Sequence, residues 1–442
     1  MPPPPADLSP LSPLGPPALL ALALLGLLYW AALAVLAARC VARVPRVAAL
    51  PAVARHRWPR VSAVVPARDE AAELEGALRS RLAEGYPALE VVLVDDRSTD
   101  GTGALADRLA EAEPRLRVVH LDALPEGWLG KVHALQRGLE ASSGEWLLFS
   151  DADIHLAPGT LARIVAYAEA RGDEHVCVLP EFTSRGPLLV ATLCTLMRLV
   201  CTGGRPWAVG DPRSSAAVGV GAFNLVRREA LARTPGLPWL RMEVGDDMAL
   251  GVMLKACGAR QQVLNGRGAV RLAFYPHLGA LVRAVEKNGA TLPLPAMLAA
   301  CALLLALEWS PAVALAAGLW AGAPHLALLG AAGWGVAGAA SLAVARWLGF
   351  SPWSAALPFL GSLPLAWALA RSAALAAWRG GVRWRGTFYP LAAVRAGTRL
   401  GRGGLRLREP PAFPASPGIP TAAGPGAPEG GAGASRGRGG TG

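Results

Sequence analysis

Asp151-Ala152-Asp153 closes the run Glu145-Trp-Leu-Leu-Phe-Ser150. Two carboxylates leaving a buried strand make a hard-cation site, able to hold Mg²⁺ or Mn²⁺ against a diphosphate. An acidic triplet alone is weak evidence, because most such triplets are solvated turns. Here it has company. Pro66, Arg68 and Glu70 follow the apolar run Val61 to Val65, Asp95 and Asp96 end Val91 to Val94, and Lys131 follows Gly127 and Gly130. Asp246 and Asp247 open the apolar stretch Met248 to Leu254, where a helix macrodipole favours acids in the first turn.

These residues need a scaffold, and the surrounding sequence predicts one. Val61 to Pro66, Val91 to Asp96, Arg117 to Leu121 and the run before Asp151 read as short strands. Leu74/Leu78/Leu82, Leu105/Leu109 and the stretch Lys131 to Glu140 carry helical spacing between them. Strands alternating with helices at this interval predict an α/β fold, a Rossmann-like mostly parallel sheet covered on both faces. Such sheets bind ligands at the carboxyl ends of their strands. The acids fall at those ends.

Val61 to Glu70, Val94 to Thr102 and Ser150 to Asp153 resemble the nucleotide-sugar half of a family 2 glycosyltransferase of the A-type fold. Gly127-Trp-Leu-Gly-Lys131, Gly219 to Arg227, Gly245 to Gly251 and Val382 to Pro390 are similar to the hopene-associated branch of that family. The resemblance implies roles residue by residue. Asp151 and Asp153 would hold the metal, with Asp151 also reaching the donor. Asp95 or Asp96 would accept hydrogen bonds from base or ribose, while Pro66, Arg68 and Glu70 shape the nucleotide loop. Lys131 would face donor phosphate. Asp247 would be the general base, with Asp246 standing where related enzymes more often carry Glu. Processive relatives have Gln-x-x-Arg-Trp before their membrane helices; this chain reads Arg283-Ala-Val-Glu-Lys287-Asn288, without the aromatic, which favours a single transfer. Arg283 and Lys287 are candidates for diphosphate or headgroup contacts, and His277 for a further metal ligand.

Composition adds an independent constraint. Of 442 residues, 53% are apolar and only 17% charged, rich for a soluble protein. Pro17 to Ala38 is an uncharged apolar run of about 22 residues, enough to span a bilayer at about 1.5 Å per residue. It lacks the basic flank of a secretory signal. Residues 17–39 therefore read as a retained anchor, followed by Arg39, Arg43, Arg46, Arg55, Arg57 and Arg60. The positive-inside rule then puts residues 1–16 outside and a catalytic domain, 60–289, in the cytoplasm. Residues 291–378 form a second apolar zone, expected to hold two to four membrane helices. Residues 379–409 read as a basic juxtamembrane segment and 410–442, rich in Pro, Gly and Ala, as a disordered tail.

The net charge of +11 comes from arginines beside apolar runs and in the tail, which points to anionic membrane lipids and no nucleic acid. Six scattered cysteines show no paired spacing and read as reduced thiols. The expectation is an integral membrane hexosyltransferase of bacterial inner-membrane type. It would use a nucleotide-sugar donor, Mg²⁺ or Mn²⁺, and a lipid acceptor, with the hopene-associated resemblance implying hopanoid metabolism. A polyprenyl-phosphate glycosyltransferase is the alternative enzyme. A non-catalytic partner in a lipid-biosynthesis complex is the alternative of another class.

Overall fold

The computed structural model describes residues 16–53 and 55–401. The predicted amino-terminal segment lies outside these residues save for Pro16, and the predicted tail lies wholly outside them. Four strands open the main sheet: β1 (Val61–Ala67), β2 (Leu89–Asp96), β3 (Leu116–Leu121) and β4 (Trp146–Phe149). They are mutually parallel, with Val64 registered against Val92 on one side and Phe149 on the other. After the short β5 (His155–Leu156), the chain adds β6 (His175–Leu179), β7 (Glu181–Phe182), β8 (Asn224–Arg227), β9 (Gln261–Asn265) and β10 (Val270–Leu272). The seven-stranded order is β3-β2-β1-β4-β8-β6-β9, with β8 antiparallel to both neighbours. β5, β10 and β7 form a small second sheet.

Because both sheet faces are covered, the central strands are buried without alternation, as Val61 to Val65 shows. One face packs α2 (Ala71–Leu82), α3 (Thr102–Ala112), α5 (Thr160–Arg171) and α6 (Pro187–Gly204) through Leu74, Leu78, Ile164 and Leu193. The other packs α4 (Gly130–Glu140), the short α7 (Arg228–Ala232) and α8 (Asp246–Ala256) through Val132, Leu135, Leu250 and Met253. The mostly parallel α/β sheet expected from the sequence is present.

Among the described residues, four helices are long and apolar enough to cross a membrane. Three were anticipated in outline: α1 (Pro16–Arg43), α10 (Leu294–Trp320), which follows the short α9 (Leu278–Ala284), and α11 (Pro324–Leu348). The fourth is α6. α1, α10 and α11 pack together and leave Leu28 at 67% and Leu328 at 71% exposure, apolar surface that suits lipid and not water. Within the expected zone of two to four spans, α12 (Ser362–Arg379) is a third helix, shorter and carrying Arg371. α6 escaped the sequence reading because Arg198 interrupts it. That guanidinium is buried in an ion pair with Glu308 of α10 at 2.7 Å. α6 shares one core with the sheet and with Val344, Trp347 and Leu348 of α11, so it joins the apolar helices to the α/β unit.

Within the basic segment expected over 379–409, residues 381–397 form a hairpin, β11 (Gly381–Trp384) and β12 (Thr387–Pro390), followed by α13 (Leu391–Gly397). Val382 and Tyr389 pair across the hairpin and bury themselves in the α4/α8 core, which anchors the segment to the domain.

Candidate active site

The carboxyl ends of β1, β2 and β4 open into a cleft of about 1160 Å³. Pro66, Arg68, Glu70, Asp96, Lys131, Asp151 and Asp153 all line it, together with Tyr275, Lys287 and Trp384. Asp246 and Asp247 line a narrower adjoining space whose wall, shared with the cleft, includes Pro66, Lys131 and Asp151. Parallel β1, β2 and β4 bring these distant segments to one edge because the loops all leave on the same side of the sheet.

The Asp151 turn is built from behind. Arg81, the last-turn arginine of α2, is buried, donates to Ser150 Oγ at 3.1 Å and Ala152 O at 3.3 Å, and also bonds Asp151 O. Burial pulls the Arg81 guanidinium down to about 10, with Asp153 and Asp151 opposing that shift. From the sequence Arg81 reads as a solvated helix charge; nothing in its spacing marks it as the holder of the turn. Asp151 Oδ1 accepts from Lys131 Nζ at 2.7 Å, and Asp246 Oδ2 lies 3.9 Å from the same ammonium. Burial works against the Lys131 charge, but Asp151, Asp246 and Asp247 more than offset it and raise its pKa. Burial likewise opposes charge on Asp151, and Lys131 overcomes it, so that carboxyl stays below its usual range.

Asp153 is opposed only weakly by Arg81. Burial, then Asp151 and Glu70, push it up to about 7. Asp246 is pushed up to about 6 by burial, with Lys131 opposing and Asp247 reinforcing. An acid pair of which one member is held near neutrality by burial and by its neighbour fits a dication well, since added positive charge would relieve both. Among the described residues no three His, Cys, Asp or Glu side chains cluster as a metal site. Asp151 and Asp153 would thus supply two oxygens and leave the remaining positions to diphosphate and water, as Mg²⁺ favours.

Gly221 sits where these groups converge. A Cβ there would lie 3.0 Å from Asp151 Oδ2, 3.2 Å from Asp247 Oδ2 and 3.3 Å from Lys131 Nζ. Its amide donates to Asp247 Oδ2 at 2.8 Å, and its carbonyl accepts from Asp151 N at 3.1 Å. The backbone of Gly219 approaches closer still, its Cβ position only 1.6 Å from Asp247 O. Asn224 fixes this loop by accepting from Val220 N at 3.1 Å. Asp247 Oδ1 accepts from Met248 N at 2.8 Å, so the carboxylate is held at the α8 terminus and by the glycine loop together.

The remaining predicted residues divide. Asp96 lines the cleft and is gripped by Arg97 at 2.7 Å, with Arg68 at 3.8 Å. Asp95 is turned aside: it accepts from Ser98 N and faces His120 Nδ1 at 3.1 Å. Glu70 receives Arg385 of the hairpin at 2.5 Å, and Arg68 O receives the same guanidinium at 2.7 Å. His277 is spent as the α9 cap, accepting from Ala280 N, which removes it from the metal set. Asp69, Arg97 and Arg385 adopt positive φ of 54°, 58° and 49°, left-handed backbone that concentrates at this rim.

Trp384 stands 4.7 Å over the Lys287 ammonium, so an aromatic partner reaches that position from nearly a hundred residues downstream. Lys287 is lowered by burial first and by Lys131 next, with Asp246, Asp247 and Asp151 opposing. Tyr389 Oη accepts from Gly130 N at 3.3 Å and seats the hairpin on the start of α4.

The site is an acid-and-lysine cleft at a parallel sheet edge. Residues 62–199 match the family model described as Glycosyl transferase family 2, which spans β1 through most of α6. This agrees with the family-level resemblance of the motifs and does not reach the hopene-associated branch. Curated proteins give no match. Among solved structures, the chain is similar to a mannosyltransferase from Pyrobaculum calidifontis in complex with GDP-Man and Mn²⁺. That pair is 24% identical, covering 81% of this chain and 98% of the other, with a TM-score of 0.48. It is also similar to S. aureus TarS, at 17% identity over 51% of this chain and 39% of that one, TM-score 0.36. TarS 1–349 in complex with UDP-GlcNAc gives 18% identity over 48% and 58%, TM-score 0.34.

Proposed function

We propose that the chain is a membrane-bound inverting glycosyltransferase that moves one sugar from a nucleotide-diphosphate sugar to a lipid acceptor at the cytoplasmic face. The observation that carries this reading is the convergence of Asp151, Asp247 and Lys131 on the space beside Gly221, at the edge of a cleft large enough for donor and acceptor. A Mg²⁺ or Mn²⁺ ion on Asp151 and Asp153 would neutralise charge on the leaving diphosphate. Lys131 adds fixed positive charge on the same side, and Lys287 a second ammonium on the opposite wall, held by Trp384.

Asp96, with Arg68 and Arg97 fixing it, offers acceptor oxygens for base or ribose. Asp247 is the base for the acceptor hydroxyl, and Asp246, the more buried of the two, positions Lys131. One base and a single displacement at the sugar carbon give inversion. The apolar helices hold the cleft against the membrane, and the arginines after α1 orient it to the cytoplasm, where nucleotide sugars are found. A hopanoid acceptor rests on motif resemblance alone.

The test is incorporation of labelled sugar into lipid by membranes containing the full chain, across a panel of nucleotide sugars with Mg²⁺ or Mn²⁺. Label that disappears in Asp151→Ala/Asp153→Ala supports the reading. Folded protein giving no label with any donor, when supplied with hopanoid, carotenoid and polyprenyl phosphate lipids, overturns it. Asp247→Asn with full activity would remove the base assignment.

A further inference from the structure

Two arginines of the cleft lining are paired, Arg68 with Asp96 and Arg385 with Glu70. The outer rim is different. Arg185, Arg271, Arg283 and Arg383 also line the cleft, are exposed, and make no ion pair or side-chain hydrogen bond with any other described residue. Four unpaired guanidiniums around one opening repel one another unless an anion joins them, and planar guanidinium forks are suited to phosphate oxygens. Donor phosphates already have Lys131 and Lys287 deeper in the cleft.

The rim also lies at the ends of apolar helices. Arg185 is two residues before α6 starts at Pro187, and Arg383 is four residues after α12 ends at Arg379. Arg283 belongs to α9, eleven residues before α10 starts at Leu294. Arginines at helix ends sit at the level of lipid headgroups. An aromatic path runs from the same opening toward the apolar helices: Tyr275 meets Phe274 at 4.4 Å, Phe274 meets Phe182 at 5.8 Å, and Phe182 stacks on Phe350 at 5.0 Å, just past α11. Phe182 and Phe350 are buried in the core, but Phe274 and Tyr275 line the cleft with the four arginines, and positive charge beside aromatic side chains matches a lipid whose headgroup is anionic.

We propose that Arg185, Arg271, Arg283 and Arg383 form a seat for a phosphate that the lipid acceptor carries besides the hydroxyl deprotonated by Asp247, so that the acceptor belongs to the phosphate-bearing lipids. This rests on the lipid-transferase reading and narrows it. A neutral hopanoid alcohol would leave the four arginines without a partner.

The test uses full-length protein in detergent micelles, titrated calorimetrically with farnesyl phosphate, with farnesol and with inorganic phosphate. Farnesyl phosphate is expected to bind at least about tenfold more tightly than farnesol, the scale of one or two charge-assisted hydrogen bonds. Arg283→Gln/Arg383→Gln, both at exposed positions, should erase most of that difference. Equal binding of the two lipids, or a difference the double variant leaves intact, overturns the seat. Inorganic phosphate competing as strongly as farnesyl phosphate itself overturns the lipid assignment in favour of a free-anion site. UDP and GDP binding is measured in parallel on wild type. Its loss while phosphate selectivity persists counts against glycosyl transfer and supports the seat.

Discussion

Lys131 Nζ bonds Asp151 Oδ1 at 2.7 Å and stands 3.9 Å from Asp246 Oδ2, so one ammonium neutralises acids delivered by β4 and by α8. Replacing it strands both carboxylates in a buried space. Lys131→Met should cut sugar transfer by about two to three orders of magnitude, the usual effect of losing one preorganised charge in an active site. It should also raise the Asp151 pKa, because Lys131 is the group that overcomes burial there. Rate against pH is the decisive measurement: the acid limb should move to higher pH in the variant, and an unmoved limb with full rate would remove Lys131 from the site.

Gly221 leaves open the point to which Asp151, Asp247 and Lys131 are directed. Gly221→Ala would place a methyl 3.0 to 3.3 Å from all three, tighter than ordinary contact. The residue does not have a positive φ, so the alanine costs no backbone strain. The expected result is a protein with near-normal melting temperature that fails to transfer sugar and binds Mn²⁺ at least about tenfold more weakly. Normal activity would mean that the reacting groups do not use this space.

How much of this was readable in advance depended on whether the cause was local. Val61 to Pro66 and Val91 to Asp96 are strands because of their own composition, and their acids fall at the sheet edge because parallel strands all end there. Lys131 was expected to face donor phosphate, and its bond to Asp151 appears only once both loops meet at that edge. Arg81 could not be found, because its task depends on α2 passing beneath the Asp151 turn, a tertiary fact without sequence periodicity. Trp384 was missed for a related reason: the aromatic beside Lys287 comes from a hairpin that the basic residues around it disguise as a membrane flank. Arg198 hid α6 because an arginine in an apolar helix reads as a break until its partner on another helix is known.

That partner carries a stability prediction. Arg198 and Glu308 have side-chain exposures of 2% and 0%, and the pair is extended by Ser341, Tyr29 and the Trp30 ring. Removing one charge leaves the other buried without a counter-ion, at a cost of about 3–5 kcal/mol. Arg198→Met and Glu308→Met should each lower the melting temperature in detergent sharply, while Arg198→Met/Glu308→Met recovers most of the loss. A double variant as damaged as the sum of the singles would show that the two charges act separately.

His175, in β6, is fully buried. Its Nε2 lies 3.1 Å from Asn224 Oδ1, and Nδ1 has no hydrogen-bond partner. Burial lowers its pKa from 6.5 to about 4, with the Asn224 bond opposing. Because the folded value lies below the unfolded one, the unfolded chain takes up a proton first as pH falls. Stability is therefore unaffected by this group above pH 6.5 and declines between about 6.5 and 4, by about 3 kcal/mol over the whole window. Since Asn224 also fixes the loop carrying Gly221, the site should loosen over the same range. Melting curves of wild type and His175→Met from pH 7.5 to 4.5 test this. Wild type should lose several degrees more than the variant, and parallel curves would show that the folded protein accepts the proton at no cost.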